Sequence, residues 1–179
     1  MMDPALGNLL AAAFALLFAS AAIHKLRDLA GFADAFAAYE MLPAGAARLA
    51  WVLPLLELAI AAGVLPRDTR AAAGAAGGAL LLLYAAAIGV NLRRGRRDLA
   101  CGCGAALERR PIAAWMVWRN LALAALLAAL LLPGGARHWE SADTLTVAAG
   151  TAVVALLYMS LDRLLGRVAP RAALLRGAR

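Results

Sequence analysis

The chain has 179 residues, 64% of them hydrophobic, with a mean hydropathy of +0.76 and a formal net charge of +7. A soluble domain is closer to half apolar, so this composition excludes an ordinary soluble protein and indicates a membrane protein. The basic residues lie in short segments between apolar blocks and in the tail, which argues against a nucleic-acid-binding protein.

Five apolar blocks of 18 to 22 residues follow one another along the chain: Leu6–Ile23, Leu49–Pro66, Ala71–Leu92, Pro111–Leu132 and Thr144–Leu161. About 20 helical residues cross a bilayer core, so each block predicts a transmembrane helix. The predicted fold is an all-α integral membrane protein with a four-helix core and a C-terminal fifth span. Residues 1–132 would form the four-span domain, and residues 133–179 the additional span with a basic tail.

The segment after the first block has apolar residues at helical spacing: Leu29, Phe32, Phe36 and Tyr39. Pro43 would stop a helix there. The pattern predicts a short amphipathic helix lying along the membrane surface, with an ordinary connecting loop as the alternative. In the third block, Gly74 and Gly78 form a small-xxx-small pair, which favours a central helix that its neighbours approach closely.

Two charges lie inside the apolar blocks, Glu57 in the second and Arg119 in the fourth. Each is about eight residues from the same end of the bundle, hence roughly 12 Å deep at ~1.5 Å per residue. Charges inside a membrane tend to pair, so we predict a Glu57–Arg119 ion pair with Asn120 nearby. His24, Lys25 and Asn91 end their blocks at this same side. The group is interpreted as the polar lining of a site, or as a pair that only fixes packing.

The only two cysteines are Cys101 and Cys103, separated by Gly102. One intervening residue allows Cα atoms within about 7 Å, the upper limit for a disulfide. Gly102 gives the backbone freedom to turn, and so small a ring would be easily reduced. His24, Lys25 and the neighbouring arginines would favour thiolate. Disulfide exchange, binding of a soft metal such as Cu(I), and two incidental thiols remain open, whereas zinc lacks ligands.

These features resemble the methylamine-utilisation MauE family, within the broader DoxX-like membrane proteins. The matching stretches are "HKL" from His24, "YEMLP" from Tyr39, "LPLLEL" from Leu53, "CGCG" (Cys101 to Gly104, after Gly95) and "PIAAWMVWRN" from Pro111. The resemblance covers roughly residues 10 to 132. It implies a membrane component of thiol redox chemistry with a thioredoxin-like partner, which supports disulfide formation in an exported protein.

The helix order is also similar to that of DsbB and vitamin K epoxide reductase, which hold a cysteine pair above a quinone. That similarity implies Cys101 and Cys103 as the exchange pair, with Gly102 and Gly104 forming the backbone turn. It also implies a quinone pocket lined by His24, Glu57, Arg119 and Asn120. His24 would accept the proton. A copper-handling protein and a non-catalytic assembly factor are the alternatives from other classes.

Sequence arguments disagree about which side of the plasma membrane the cysteines face. Five crossings place them on the side with 14 Lys and Arg residues, against three on the other side (Arg67, Arg70 and Arg137). The positive-inside rule therefore predicts a cytoplasmic cysteine loop. The role implied by the resemblance requires the exoplasmic side, where disulfides persist. A re-entrant second block would change which loops share a side.

Overall fold

A computed structural model describes residues 2–41, 48–99, 111–132, 135, 138 and 140–177, with side chains as far as residue 166. Within these ranges every long element is a helix: α1 (Pro4–Arg27), α2 (Leu29–Ala38), α3 (Val52–Gly63), α4 (Arg67–Arg93), α5 (Ala114–Ala128) and α6 (Ser141–Gly177). A 3₁₀ turn, Ala129–Leu131, extends α5. The predicted all-α membrane fold is confirmed.

Aspartates begin the first two helices. The Asp3 carboxylate accepts a hydrogen bond from the Ala5 amide at 2.8 Å, with Pro4 at the first helical position. Asp28 ends α1 and accepts from the Gly31 amide at 2.9 Å, which starts α2. The predicted short helix after the first span is therefore present, and none of its residues is fully buried. Pro43, its predicted stop, lies outside the described residues.

Among the described residues, four helices are long and apolar enough to cross a membrane: α1, α4, α5 with its 3₁₀ turn, and the first 26 residues of α6. The second predicted span contains a shorter helix, α3, of 12 residues. Contacts at the two ends of α3 nevertheless reach both ends of α1. Glu57, in the first half of α3, contacts Lys25 near the end of α1. Arg70 joins the Val64 carbonyl, just after α3, to Asn8 near the start of α1.

The central helix is α4, which packs closely on α5 through two glycines. A Cβ atom on Gly77 would lie 2.8 Å from Leu127 Cδ2 and 3.1 Å from both Ile60 and Phe18. A Cβ on Gly74 would make ordinary contact with Leu130, whereas one on Gly78 would meet nothing within 4 Å. The central position predicted for this helix agrees with these contacts, but the close approach is at Gly74 and Gly77, and Gly78 takes no part in it.

Helix α6 is peripheral. It packs on α1, and only 6% of its apolar span is buried, compared with 28–33% for the other three spans. Most of its surface is therefore available to lipid.

Two loops meet at one end of the bundle, called here the cysteine end because the residues flanking the cysteine segment lie there. The Asn91 amide, near the end of α4, donates to the Tyr39 carbonyl, just after α2, at 3.2 Å. Arg96 pairs with Glu40 at 2.8 Å. These contacts agree with the predicted placement of the two loops at a shared end. Asn8, Val64 and Arg70 mark the opposite end.

Candidate functional site

A buried ion pair joins α1 to α3. Lys25 Nζ donates to both carboxylate oxygens of Glu57, at 2.6 and 2.8 Å. The two side chains are 3% and 1% exposed. Charges this deep in an apolar bundle are stable only when they are paired and hydrogen-bonded.

Two aromatic residues complete this arrangement. The Tyr84 hydroxyl, on α4, donates to Glu57 Oε1 at 2.9 Å. Lys25 Nζ lies 5.5 Å from the ring centroids of both Tyr84 and Phe32, within cation–π range. We call Lys25, Glu57 and Tyr84 the buried charge cluster. Phe32 brings α2 over it, so the predicted surface helix also contacts the interior.

The predicted Glu57–Arg119 ion pair is wrong. Glu57 is bonded to Lys25 and Tyr84, while Arg119 Nη1 contacts Asp162 Oδ1 on α6 at 2.6 Å. Arg119 also lies over the Trp115 ring, 5.2 Å from its centroid. Counting residues from the helix ends predicts the depth of each charge along the bundle axis, but it does not predict the direction in which the side chain points around the helix. Glu57 faces α1 and α4, and Arg119 faces α6.

Two asparagines with incompletely satisfied amides are buried in the bundle: Asn91 lies near the cysteine end of α4, and Asn120 lies deeper, about 9 Å along α5 from its start. Asn91 is fully buried, and its Nδ2 donates to the carbonyls of Tyr39 and Ala87. Its Oδ1 has no partner among the described residues, and neither does Nδ2 of Asn120, which is 2% exposed. Tyr84 lies seven residues before Asn91, so the buried charge cluster is about 10 Å deeper along α4.

The segment that carries the cysteines is anchored at both ends. Helix α4 stops at a Schellman motif, in which Gly95 has φ +75° and its amide donates to the Leu92 carbonyl, while the Arg96 amide donates to the Asn91 carbonyl. The Ile112 amide then donates to the Leu99 carbonyl at 3.0 Å. Residues 100–110, which include Cys101, Gly102, Cys103 and Gly104, lie outside the described residues.

A salt bridge between Arg96 and Glu40 holds the two loops together at this end. Arg96 Nη1 is 2.8 Å from Glu40 Oε2, and both groups are partly exposed. Glu40 has φ +48°, which is uncommon for a residue other than glycine. The ion pair therefore joins the residue after the α4 cap to a backbone turn at the end of α2.

The structure does not bring every predicted site residue together. His24 is half-buried and, in the described part of the chain, makes no hydrogen bond or ion pair. His24 lies in α1 one residue before Lys25, so its side chain points about 100° away from the buried charge cluster. Across those same ranges, no group of three His, Cys, Asp or Glu side chains is placed to hold a metal ion.

Sequence reasoning missed three residues of these contacts: Tyr84, Phe32 and Asp162. Tyr84 had a detectable signal, because it is a polar aromatic residue two helical turns before Asn91 and hence on the same face. Phe32 was assigned only to a lipid-facing stripe. Asp162 directly follows the fifth apolar block, so a search for charges inside the blocks does not include it.

The buried charge cluster places opposite charges in direct contact inside the bundle. The Glu57 carboxylate accepts hydrogen bonds from both the Lys25 amino group and the Tyr84 hydroxyl, in the interior of the bundle. Such a cluster can hold charged groups in the bundle interior without exposing them to lipid.

Comparison with known proteins gives a consistent result. The family model described as "Methylamine utilisation protein MauE" matches residues 3–133. A curated protein of the same description from Paracoccus denitrificans is 36% identical over 162 residues, covering 89% of this chain and 87% of that protein.

Two further relatives carry the same description. One from Methylophilus methylotrophus is 37% identical over 173 residues, covering 92% of this chain and 88% of its own. One from Methylorubrum extorquens is 42% identical over 136 residues, covering 74% and 73%. No solved structure is significantly similar.

Proposed function

Since this chain belongs to the MauE family of methylamine utilisation proteins, we propose that it serves methylamine utilisation as a membrane thiol–disulfide redox component. In this proposal Cys101 and Cys103 exchange electrons with a thioredoxin-like partner protein. The exchange supports disulfide formation in another protein.

The observation that carries the proposal is the anchoring of the cysteine segment. The residues on its two sides are joined by the hydrogen bond from the Ile112 amide to the Leu99 carbonyl, and the Gly95 cap ends α4 just before the segment. Leu99 and Ile112 also pack with Ile88 and Met116 at the end of the bundle. The described residues on both sides of the cysteine segment are therefore held at this end of the bundle, which supports a role in which a partner protein binds at that end.

The proposed reaction consists of two successive thiol–disulfide exchanges. A thiolate of a reduced partner attacks the Cys101–Cys103 disulfide, a mixed disulfide forms, and the second partner thiol displaces it. The partner leaves oxidised, and Cys101 and Cys103 become thiols. Restoring their disulfide releases two electrons and two protons, which a quinone can accept. The described residues fit a quinone carbonyl in one respect: the buried Nδ2 of Asn120 is a donor without a partner among them.

Three residues have separate roles in this scheme. Asn120 would orient an acceptor carbonyl, and the partly exposed Arg96 would add positive charge next to the cysteine segment. That charge favours the thiolate. His24, which lies partly buried near the cysteine end of α1, would accept the proton.

Trapping the mixed disulfide tests the proposal. Removing the resolving thiol stops the exchange half-way, so either Cys101→Ser or Cys103→Ser should accumulate a covalent adduct with a partner. The measurement is non-reducing electrophoresis and mass spectrometry of membranes after acid quenching. The double serine variant is the matched control.

Each outcome has a clear meaning. An adduct that reductant releases, and that is absent from the double variant, supports thiol exchange. Stoichiometric Cu(I) binding lost in the double variant, with no adduct from either single variant, would replace the proposal with metal handling. Full methylamine-dependent growth of cells carrying the double variant would indicate a non-catalytic assembly role.

A further inference from the structure

A groove lies at the opposite end of the bundle, about 460 Å³ in volume, between α1, α6 and the turn that joins α3 to α4. Most of its wall is apolar and is contributed by residues such as Ala11, Leu65 and Ala148. Polar groups enter from three sides: Asn8, Arg70, Thr144 and Thr151. Nothing in the proposed redox chemistry uses this groove.

Arg70 brings a positive charge to the groove. Its Nε donates to the Val64 carbonyl at 3.0 Å, and its Nη2 donates to the Leu65 carbonyl at 2.7 Å and to Asn8 Oδ1 at 2.9 Å. These contacts fix the guanidinium in place, yet all three acceptors are uncharged. Among the described residues no carboxylate pairs with Arg70, so the charge is available to an anion.

Thr151 supplies a second, independent indication. It lines the groove from α6 and is 7% exposed, and its hydroxyl oxygen has no partner among the described residues. Buried hydroxyl groups are nearly always hydrogen-bonded, because an unsatisfied one costs about 1–3 kcal/mol. A ligand oxygen in the groove would satisfy it.

We propose that this groove binds the phosphate headgroup of an anionic phospholipid, together with the first part of one acyl chain. Arginine binds phosphate oxygens through charge-assisted hydrogen bonds, and the Thr151 hydroxyl adds one more. The apolar walls fit a chain rather than a free ion, and the groove opens between two membrane-spanning helices. Its volume suits a headgroup and a short stretch of chain, not a whole lipid.

The test measures lipid binding to the full-length protein, purified in detergent and stripped of lipid. The probes are short-chain phosphatidylglycerol, short-chain phosphatidylcholine and free glycerol phosphate, followed by native mass spectrometry and thermal unfolding. We expect phosphatidylglycerol to bind at least tenfold more tightly than the other two and to raise the unfolding temperature.

Three variants assign the binding to this groove. Arg70→Gln should weaken phosphatidylglycerol binding about tenfold or more, and Thr151→Val about fivefold, since each removes one contact to phosphate. Arg67→Gln is the matched control: Arg67 is an exposed arginine one helical turn away and should bind as wild type. Because Arg70 also holds the α3–α4 turn, Thr151→Val keeps the test valid if Arg70→Gln fails to fold.

Two results would overturn the proposal. One is equal binding of phosphatidylglycerol and phosphatidylcholine, or binding that Thr151→Val and Arg70→Gln leave unchanged. The other is glycerol phosphate binding as tightly as the lipid, which would indicate a site for small soluble anions.

Discussion

Among the described residues, two ion pairs lie in the apolar part of the bundle, and their surroundings differ sharply. Lys25 and Glu57 are 3% and 1% exposed and share two hydrogen bonds, with a third from Tyr84. Arg119 and Asp162 are 16% and 30% exposed. The first pair connects α1, α3 and α4 in the interior, whereas the second holds the peripheral helix α6 against α5.

This difference indicates separate purposes. Burying an ion pair away from both water and lipid has a large desolvation cost. Apolar side chains of similar volume would pack the same space without that cost. A half-exposed pair can anchor one helix at small cost and lose little when it is broken. We therefore expect the interior pair to control both stability and the redox site, and the peripheral pair to affect only the attachment of α6.

The largest effect is expected from Glu57→Leu, which leaves the Lys25 ammonium buried without its counter-charge. Breaking a buried pair from one side costs about 3–5 kcal/mol in free energy of unfolding. Denaturant unfolding of purified protein in a fixed micelle would measure it. The double variant Lys25→Met with Glu57→Leu should recover most of the loss. A single variant within 1 kcal/mol of wild type, on the order of experimental error, would mean that the pair is not buried in solution.

The next largest loss of stability is expected from Gly77→Ala, which changes the packing of α4 without changing any charge. The added methyl would lie 2.8 Å from Leu127 and 3.1 Å from Ile60 and Phe18, so overpacking should cost about 1–3 kcal/mol. Gly78→Ala, one residue away with open space around it, serves as the control and should change stability little. Equal effects of the two substitutions would contradict the observed contact face of α4.

A smaller loss is expected from Asp162→Asn, since the Arg119–Asp162 pair is partly hydrated. We expect about 1–2 kcal/mol, between the values for exposed and buried pairs. Limited proteolysis after residue 132 should become faster as α6 loosens, while the redox state of the cysteines should not change. A loss as large as that of Glu57→Leu would remove the distinction between the two pairs.

The smallest effect on stability should come from Arg96→Ala. Its partner Glu40 is 67% exposed, and exposed pairs contribute about 0–1 kcal/mol. The same change removes a positive charge beside the cysteine segment, so thiol alkylation at neutral pH should slow. Arg93→Ala, on the last turn of α4, is the comparison variant. An alkylation rate that Arg96→Ala leaves unchanged would exclude the assigned role of Arg96.

Sequence patterns predicted the helices well because the length of an apolar block and the helical spacing of apolar residues are local properties. Helix α3 has 12 residues, fewer than the 18 of the predicted block. The block's first residues form a turn before Val52, and Pro54 lies in the first turn of the helix. Pairing was harder to predict. Lys25 was assigned to the thiol environment and Glu57 to Arg119, because spacing gives the depth of a charge but not the neighbour it faces.

Membership of the MauE family supplies a context in methylamine utilisation, while the redox role depends on the two cysteines. The most direct measurement is therefore the redox state of Cys101 and Cys103 in intact cells. Cells would be quenched in acid and labelled with a mass-tagged maleimide, before reductant treatment, after it, and after its removal. We predict a disulfide pool that reductant converts to two labelled thiols and that reappears after washout. Two fully labelled thiols under all three conditions would contradict the thiol–disulfide function.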